Sequence, residues 1–222
     1  MQTVTSNDVI PAKPTTQLTR TLLSCGVIAG PLFIVVGLIQ AFTRPGFDLT
    51  RHALSLLENG DLGWIQIANF GLSGLLFAAC ALGMRRVLHP GRSGIWGPLL
   101  VATFGVGMFG AGIFHADPVS GFPPGTPASA TAISWHGLVH LSMATIAFLA
   151  VIAVCFVFAR RFAALKERGW VVYSVVTGVI FFVAFAGEAS GQLWMNLAFV
   201  FTALNAFGWV SAVAAKLLSR RA

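Results

Sequence analysis

Acidic residues are scarce in this chain: seven Asp and Glu in 222 residues, with only 9% of positions charged. A soluble domain carries roughly 25% charged residues. A water-exposed surface of ordinary composition is therefore excluded. Cysteine is low as well, and Cys25, Cys80 and Cys155 all lie within apolar runs, which rules out a disulfide-stapled scaffold. Each reads as a small apolar filler in a helix. Strand-like alternation is missing, which argues against an outer-membrane barrel. No Walker loop, no Gly-x-Gly-x-x-Gly after a strand and no basic-aromatic pattern is present, so nucleotide and nucleic-acid binding lose their usual signals.

What the chain has is apolar length, with 56% hydrophobic residues. About 20 apolar residues in a helix cross about 30 Å of hydrocarbon, and six segments reach that length. They fall at about 22–43, 64–84, 95–114, 135–158, 170–187 and 193–215. Backbone polar groups must be satisfied inside lipid, so the segments are helices. The predicted fold is an all-α bundle of six transmembrane helices.

The formal charge of +7 is a topology signal, because the basic residues sit in short connectors. Lys13, Arg20, Arg85, Arg86, Arg92, Arg160, Arg161, Lys166, Arg168, Lys216, Arg220 and Arg221 fall on one side. Only Arg44 and Arg51 fall on the other, together with Asp48, Glu58, Asp61, Asp117 and Glu188. The positive-inside rule then predicts a multi-pass protein of the cytoplasmic (inner) membrane with both termini cytoplasmic.

Residues 1–20 are polar, carry Pro11 and Pro14, and read as a loose cytoplasmic tail before a membrane domain over 21–222. The first span has no Ala-x-Ala cleavage pattern and is expected to be retained. Gly26 and Gly30, four apart, let another helix approach it closely, and Pro31 should bend it. In the outer segment that follows, Leu49, Ala53, Leu56 and Leu57 have the spacing of a short interfacial helix stopped by Asn59-Gly60. His52 and Ser55 lie three apart there and can face the bundle. Asn69 and Ser73 share a face of the second span, as interhelical hydrogen-bonding groups or as the lining of a polar cavity. The connection between spans five and six is short enough to make those helices antiparallel neighbours.

Chemistry concentrates between His115 and His140. A His-x-Asp, His115 to Asp117, closes the third span, and a His-x-x-x-His, His136 and His140, opens the fourth at the same depth. Between them Asp117-Pro118, Gly121, Pro123, Pro124, Gly125 and Pro127 predict a stiff folded-back loop capping the outer ends of spans three and four. Histidines one turn apart, about 5–6 Å between Cβ atoms, can chelate one metal ion. With His115 or Asp117 they would make an open three-ligand zinc site, and Glu188 or Asp117 would act as acid or base. The same side chains can instead form hydrogen-bonded scaffolding, or handle protons or a ligand through His52, Ser55, Asn69 and Asp117.

Gly30-Pro31, Phe47-Asp48 through Ser55-Leu56, Trp64 with Asn69-Phe70, Phe114-x-x-Asp117-Pro118, Gly121-Phe122-Pro123-Pro124-Gly125, and His136 with His140 together resemble the prokaryotic six-span family catalogued as domain of unknown function 998 (DUF998). The resemblance covers about residues 20–218. It implies six helices in a membrane and brings no established activity. A looser likeness, in chemistry only, is to the zinc-dependent membrane hydrolases of the ceramidase and progestin/adiponectin-receptor superfamily. There His115, His136, His140, Asp117 and Ser55 would have to fill the metal site. This chain departs from that pattern in having six spans, with its His pair on the fourth.

Two functional expectations follow. In one, the outer His/Asp cluster forms a polar site that binds a lipid, a small ligand or a partner chain, and oligomers or a complex are open to it. In the other, the cluster makes a zinc-dependent hydrolase or transferase acting on a lipid-like substrate at the outer leaflet.

Overall fold

The computed structural model describes residues 16–88, 91–130, 132–188 and 193–220. The predicted tail falls largely outside them, and so does the short connection between spans five and six. The described chain folds into six α-helices: α1 Gln17–Thr43, α2 Gly63–Leu88, α3 Arg92–Ile113, α4 Trp135–Ala164, α5 Arg168–Glu188 and α6 Leu193–Ser219. All six are long and apolar enough to cross a membrane. The helices overrun the predicted spans mainly at the basic end, where α1 begins at Gln17 on a Thr16 cap and α4 runs on to Ala164. Backbone hydrogen bonding continues past the point where side chains turn polar, because snorkelling Arg and Lys tolerate the interface.

Consecutive helices pack side by side, and α6 returns to α1, so the bundle is a closed ring. The interior is apolar, with Phe77, Phe104, Phe158 and Trp209 fully buried, and the exterior is apolar as well. Large apolar side chains such as Ile28, Val35, Phe42, Leu72, Leu82, Val106 and Phe182 point outward. Gln40, Gln66, Asn69, Ser73, Ser174, Thr177, Asn196 and Ser211 are buried. Lipid neither hydrates a polar group nor drives apolar surfaces together, so polar side chains seek partners across helices.

Gln40 Nε2 donates to Gln66 Oε1 at 2.8 Å, joining α1 to α2. Asn69 Nδ2 donates to the Phe33 carbonyl and to Gln66 Oε1, each at 3.2 Å. The Ser211 hydroxyl on α6 accepts from Gly30 N–H at 3.0 Å and donates to the Gly26 carbonyl at 2.7 Å, next to Pro31. A single hydroxyl thus serves both ends of one α1 rung at the position where proline interrupts the ladder. Trp209 Nε1 donates to Ser174 Oγ at 3.1 Å, and Asn205 Nδ2 to Thr177 Oγ1 at 3.0 Å, joining α6 to α5.

Close approach requires the glycines. A Cβ on Gly74 would lie 2.6 Å from the Gly105 carbonyl oxygen, and one on Gly105 would lie 2.6 Å from that of Gly74, so α2 and α3 cross backbone to backbone. Gly26 fits against the Cys80 side chain and Gly30 against the Phe207 backbone of α6, close approaches of the kind their four-residue spacing leads one to expect. At the basic end Glu167 pairs with Lys216 at 2.6 Å and with Arg220, and Lys216 lies over the Trp170 ring at 4.6 Å. These contacts tie α6 to the start of α5.

Gly105→Ala is expected to lower stability in detergent by about 1–3 kcal/mol or more, because the backbones themselves must separate. Gly169→Ala, which meets open space, should leave the melting temperature within error. A scan of both variants checks it: equal melting temperatures would contradict the crossing.

Candidate functional site

The end of the bundle opposite the basic clusters is closed by residues 44–62, 114–130 and 132–134. The first segment forms a 3₁₀ helix, Leu54–Glu58, in place of the amphipathic α-helix its spacing suggests. Leu54, Leu56, Leu57 and Glu58 are all buried, so this element plugs the ring instead of floating on the interface. Arg44 anchors it by donating to the Leu57 carbonyl at 3.2 Å and the Asn59 carbonyl at 2.6 Å. Asp48 makes a local turn by accepting from the Thr50 N–H and hydroxyl, which hold its carboxyl below the usual range.

His52 is 2% exposed, and both its ring nitrogens are engaged. Nδ1 accepts from Asp48 N–H at 2.9 Å, so Nε2 carries the hydrogen and donates to the Ser120 carbonyl at 3.1 Å. Its ring packs with Phe47 and Phe122. The Pro-Gly loop therefore folds back over the segment that links α1 to α2, as well as joining α3 to α4. Pro124 lies against Gly46, and Pro123 against Gly60, both glycines having positive φ.

Asp117 is half-buried at the start of α4. Its Oδ2 accepts from Ser134 N–H at 2.7 Å, and its carboxylate lies where a Cβ on Gly137 would stand. Ser134 Oγ in turn accepts from Gly137 N–H at 3.1 Å. Two acceptors thus cap the α4 N-terminus, where unpaired N–H groups and the helix dipole favour negative charge. Gly137 is required there because any side chain would displace Asp117.

The two histidines of α4 part company. His136 is exposed and stacks edge-on with Trp135 and Phe114. His115 is exposed as well. His140 is buried, and its Nδ1 lies 2.9 Å from both the Ala111 and the Phe114 carbonyl oxygens. Those carbonyls belong to the last turn of α3, which has no intrahelical donors left to use. Nδ1 must carry a hydrogen to serve them. The neutral ring then leaves Nε2 as a bare acceptor.

Glu58 completes the arrangement, and sequence reasoning assigned it no part beyond the acidic outer side. The residue is 4% exposed; its Oε2 accepts from Ala116 N–H at 3.0 Å and lies 3.4 Å from His140 Nδ1. The two carbonyls at 2.9 Å are better placed for the single Nδ1 hydrogen, so Glu58 lies beside His140 without taking it. Oε1 of Glu58 is buried without a partner among the described residues. Burial pushes this carboxyl up to about 8, against the Ala116 N–H that pulls it down. The one available sequence signal was an acid closing the apolar run Leu54-Ser55-Leu56-Leu57.

Beneath the 3₁₀ helix all six helices line a cavity of about 230 Å³. Its wall is apolar, from Phe33, Phe70, Met108, Phe148, Phe199 and Leu204, with Ser55, His140, Thr145 and Glu188 as the polar groups. Ser55 and Glu188, named from sequence as candidates, do reach it, whereas Asn69 and Asp117 do not line it. Leu141 of this lining, on α4, is exposed, and Thr145, one turn further along the same helix, is also solvent-accessible. His115, His136 and His140 are not gathered: among the described residues no three His, Cys, Asp or Glu side chains converge as metal ligands would.

The family model described as Protein of unknown function (DUF998) matches residues 27–216, and the chain belongs to that family. Among curated proteins and solved structures, nothing matches.

Glu58 makes stability depend on pH in a direction that can be worked out. Below pH 4.5 the carboxyl is protonated folded or unfolded; between 4.5 and about 8 the unfolded chain ionises it while the folded chain keeps its proton. Stability is thus lost as pH rises through that window, and then levels. Glu58→Gln should flatten the fall and melt at or above wild type at pH 8. Glu58→Ala should melt lower at every pH, by about 1–3 kcal/mol, because Ala116 N–H loses its acceptor. Melting curves in detergent at several pH values decide it. A wild-type melting temperature that rises through this window would contradict the assignment.

Proposed function

We propose that this family member binds a lipid-like molecule within the bilayer, with the capped end facing the extracytoplasmic side of the cytoplasmic membrane and both termini inside. One observation carries the reading: an apolar cavity is walled by all six helices, with few polar groups among its lining residues. An aqueous solute would meet an apolar wall, whereas an acyl chain matches it. Pockets that bind small molecules are mostly apolar, with a few placed polar groups that set orientation. Here those groups are Ser55, His140 and Glu188. The Pro-Gly loop and the 3₁₀ helix form a lid held by His52, Arg44 and Glu58, not a metal shell.

The orientation follows the basic residues, which crowd the opposite end. Zinc-dependent hydrolysis receives less support from the geometry. His140 spends Nδ1 on helix carbonyls, His136 and His115 face outward, and Asp117 caps a helix.

Ala144 is half-buried on the cavity wall, so Ala144→Phe should fill the space without touching the lid. Intact-complex mass spectrometry of protein released from membranes in mild detergent is expected to show about one retained chain-like molecule on wild type. The filled variant should melt normally and carry none. A wild type with no adduct, or equal adducts on both proteins, would contradict the reading.

A further inference from the structure

We propose that the occupant of this cavity is a single-chain amphiphile with a primary ammonium head, seated under the cap with its chain running toward the middle of the bundle. The inference rests on the cavity reading above and names the chemistry of its ligand.

Hydrogen-bond polarity carries the argument. His140 has committed its one hydrogen, on Nδ1, to the Ala111 and Phe114 carbonyls, so the nitrogen left over accepts and does not donate. Glu188 lies on the same wall at the end of α5, and its Oε2 is buried with no partner among the described residues. Glu188 is the one acidic residue of the lining, and a carboxyl on an apolar wall without a cationic neighbour is completed by a ligand that brings a donor and a positive charge. Of the other polar lining groups, the Ser55 and Thr145 hydroxyls adapt either way. No Lys or Arg stands among the lining residues.

A phosphate or carboxylate head would therefore meet acceptors and a like charge, with no cation to offset them. A hydroxyl head brings one hydrogen for two acceptors. A primary ammonium brings three and the charge that Glu188 lacks, and charge-assisted bonds of this kind are about twice as strong as neutral ones. The size of the space limits the rest. About 230 Å³ is below the roughly 300–1,000 Å³ usual for drug-sized ligands, which excludes a two-tailed lipid and takes the head and the first several methylenes of one chain. Phe148, Phe199, Leu204 and Phe207 line the part of the wall that such a chain would occupy.

The test uses the full chain in phosphatidylcholine nanodiscs, because the quaternary head of that lipid donates no hydrogen bond. Hexadecylamine, 1-hexadecanol and palmitic acid are added in competition at pH 7, and retained ligand is read by mass spectrometry of the intact complex. Wild type is expected to hold the amine at least about tenfold over either competitor. Glu188→Gln should cut amine retention about tenfold while leaving the alcohol within about twofold. The variant's melting curve should match that of wild type, since Glu188 Oε2 has no bond to lose. Equal retention of all three chains, a preference for palmitic acid, or a Glu188→Gln protein that keeps the amine would overturn the ammonium inference while leaving the cavity reading standing. Failure of wild type to retain any chain, with Ala144→Phe behaving identically, would overturn the cavity reading and this inference with it.

Discussion

A carboxyl group buried between a helix end and a lid is the constraint on which the rest of this structure turns. Glu58 has few ways to be satisfied in an apolar setting, and it takes the Ala116 N–H of the α3–α4 connection. That bond fixes the 3₁₀ helix against the end of α3. Asn59, the next residue, clips the same connection from the other side by donating to the Ala116 carbonyl at 3.0 Å. With Ala116 held on both sides, the α3 carbonyls at Ala111 and Phe114 are aimed at His140. The histidine then has one orientation and one tautomer, and the roof of the cavity is set.

The bundle below works by the inverse of soluble-protein logic. Lipid supplies no force that gathers apolar side chains, so cohesion comes from glycine crossings such as Gly74 against Gly105 and from hydroxyl and amide bonds such as Ser211 to α1. These contacts pack α1, α2 and α3 closely. A recess among the six helices, walled by aromatic rings and roofed by a fixed lid, suits molecules that already reside in the bilayer.

The six helices were legible in the sequence because membrane thickness imposes one length, and a run of twenty apolar residues has few other uses. Gly26 with Gly30 was legible for a similar reason, since spacing alone puts two missing side chains on one face. The chemistry was harder to read. His136 and His140 have the spacing of a chelating pair, yet one faces outward and the other is consumed by the α3 terminus, because neighbouring elements decide what a nitrogen meets. Glu58 looked like one more acid on a polar loop. Its burial depends on Ala116, 58 residues away in sequence, and no local pattern encodes that pairing. Ser55 and Glu188 were named as candidates from their outer position, and the fold brings both to the cavity wall from segments that are distant in sequence. Asn69 was read either as a helix-to-helix bond or as a cavity group, and its bonds to Phe33 and Gln66 are of the first kind.

The most direct test of the account is a double-mutant cycle between the lid and the bundle, comparing Glu58→Ala, His140→Ala and the pair by unfolding in detergent at pH 7. If the buried carboxyl and the imidazole act as one unit, the two changes will be non-additive by about 0.5–3 kcal/mol. Additivity within about 0.3–0.5 kcal/mol would mean that lid and histidine are held independently, and the roof of the cavity would lose the constraint assigned to it here.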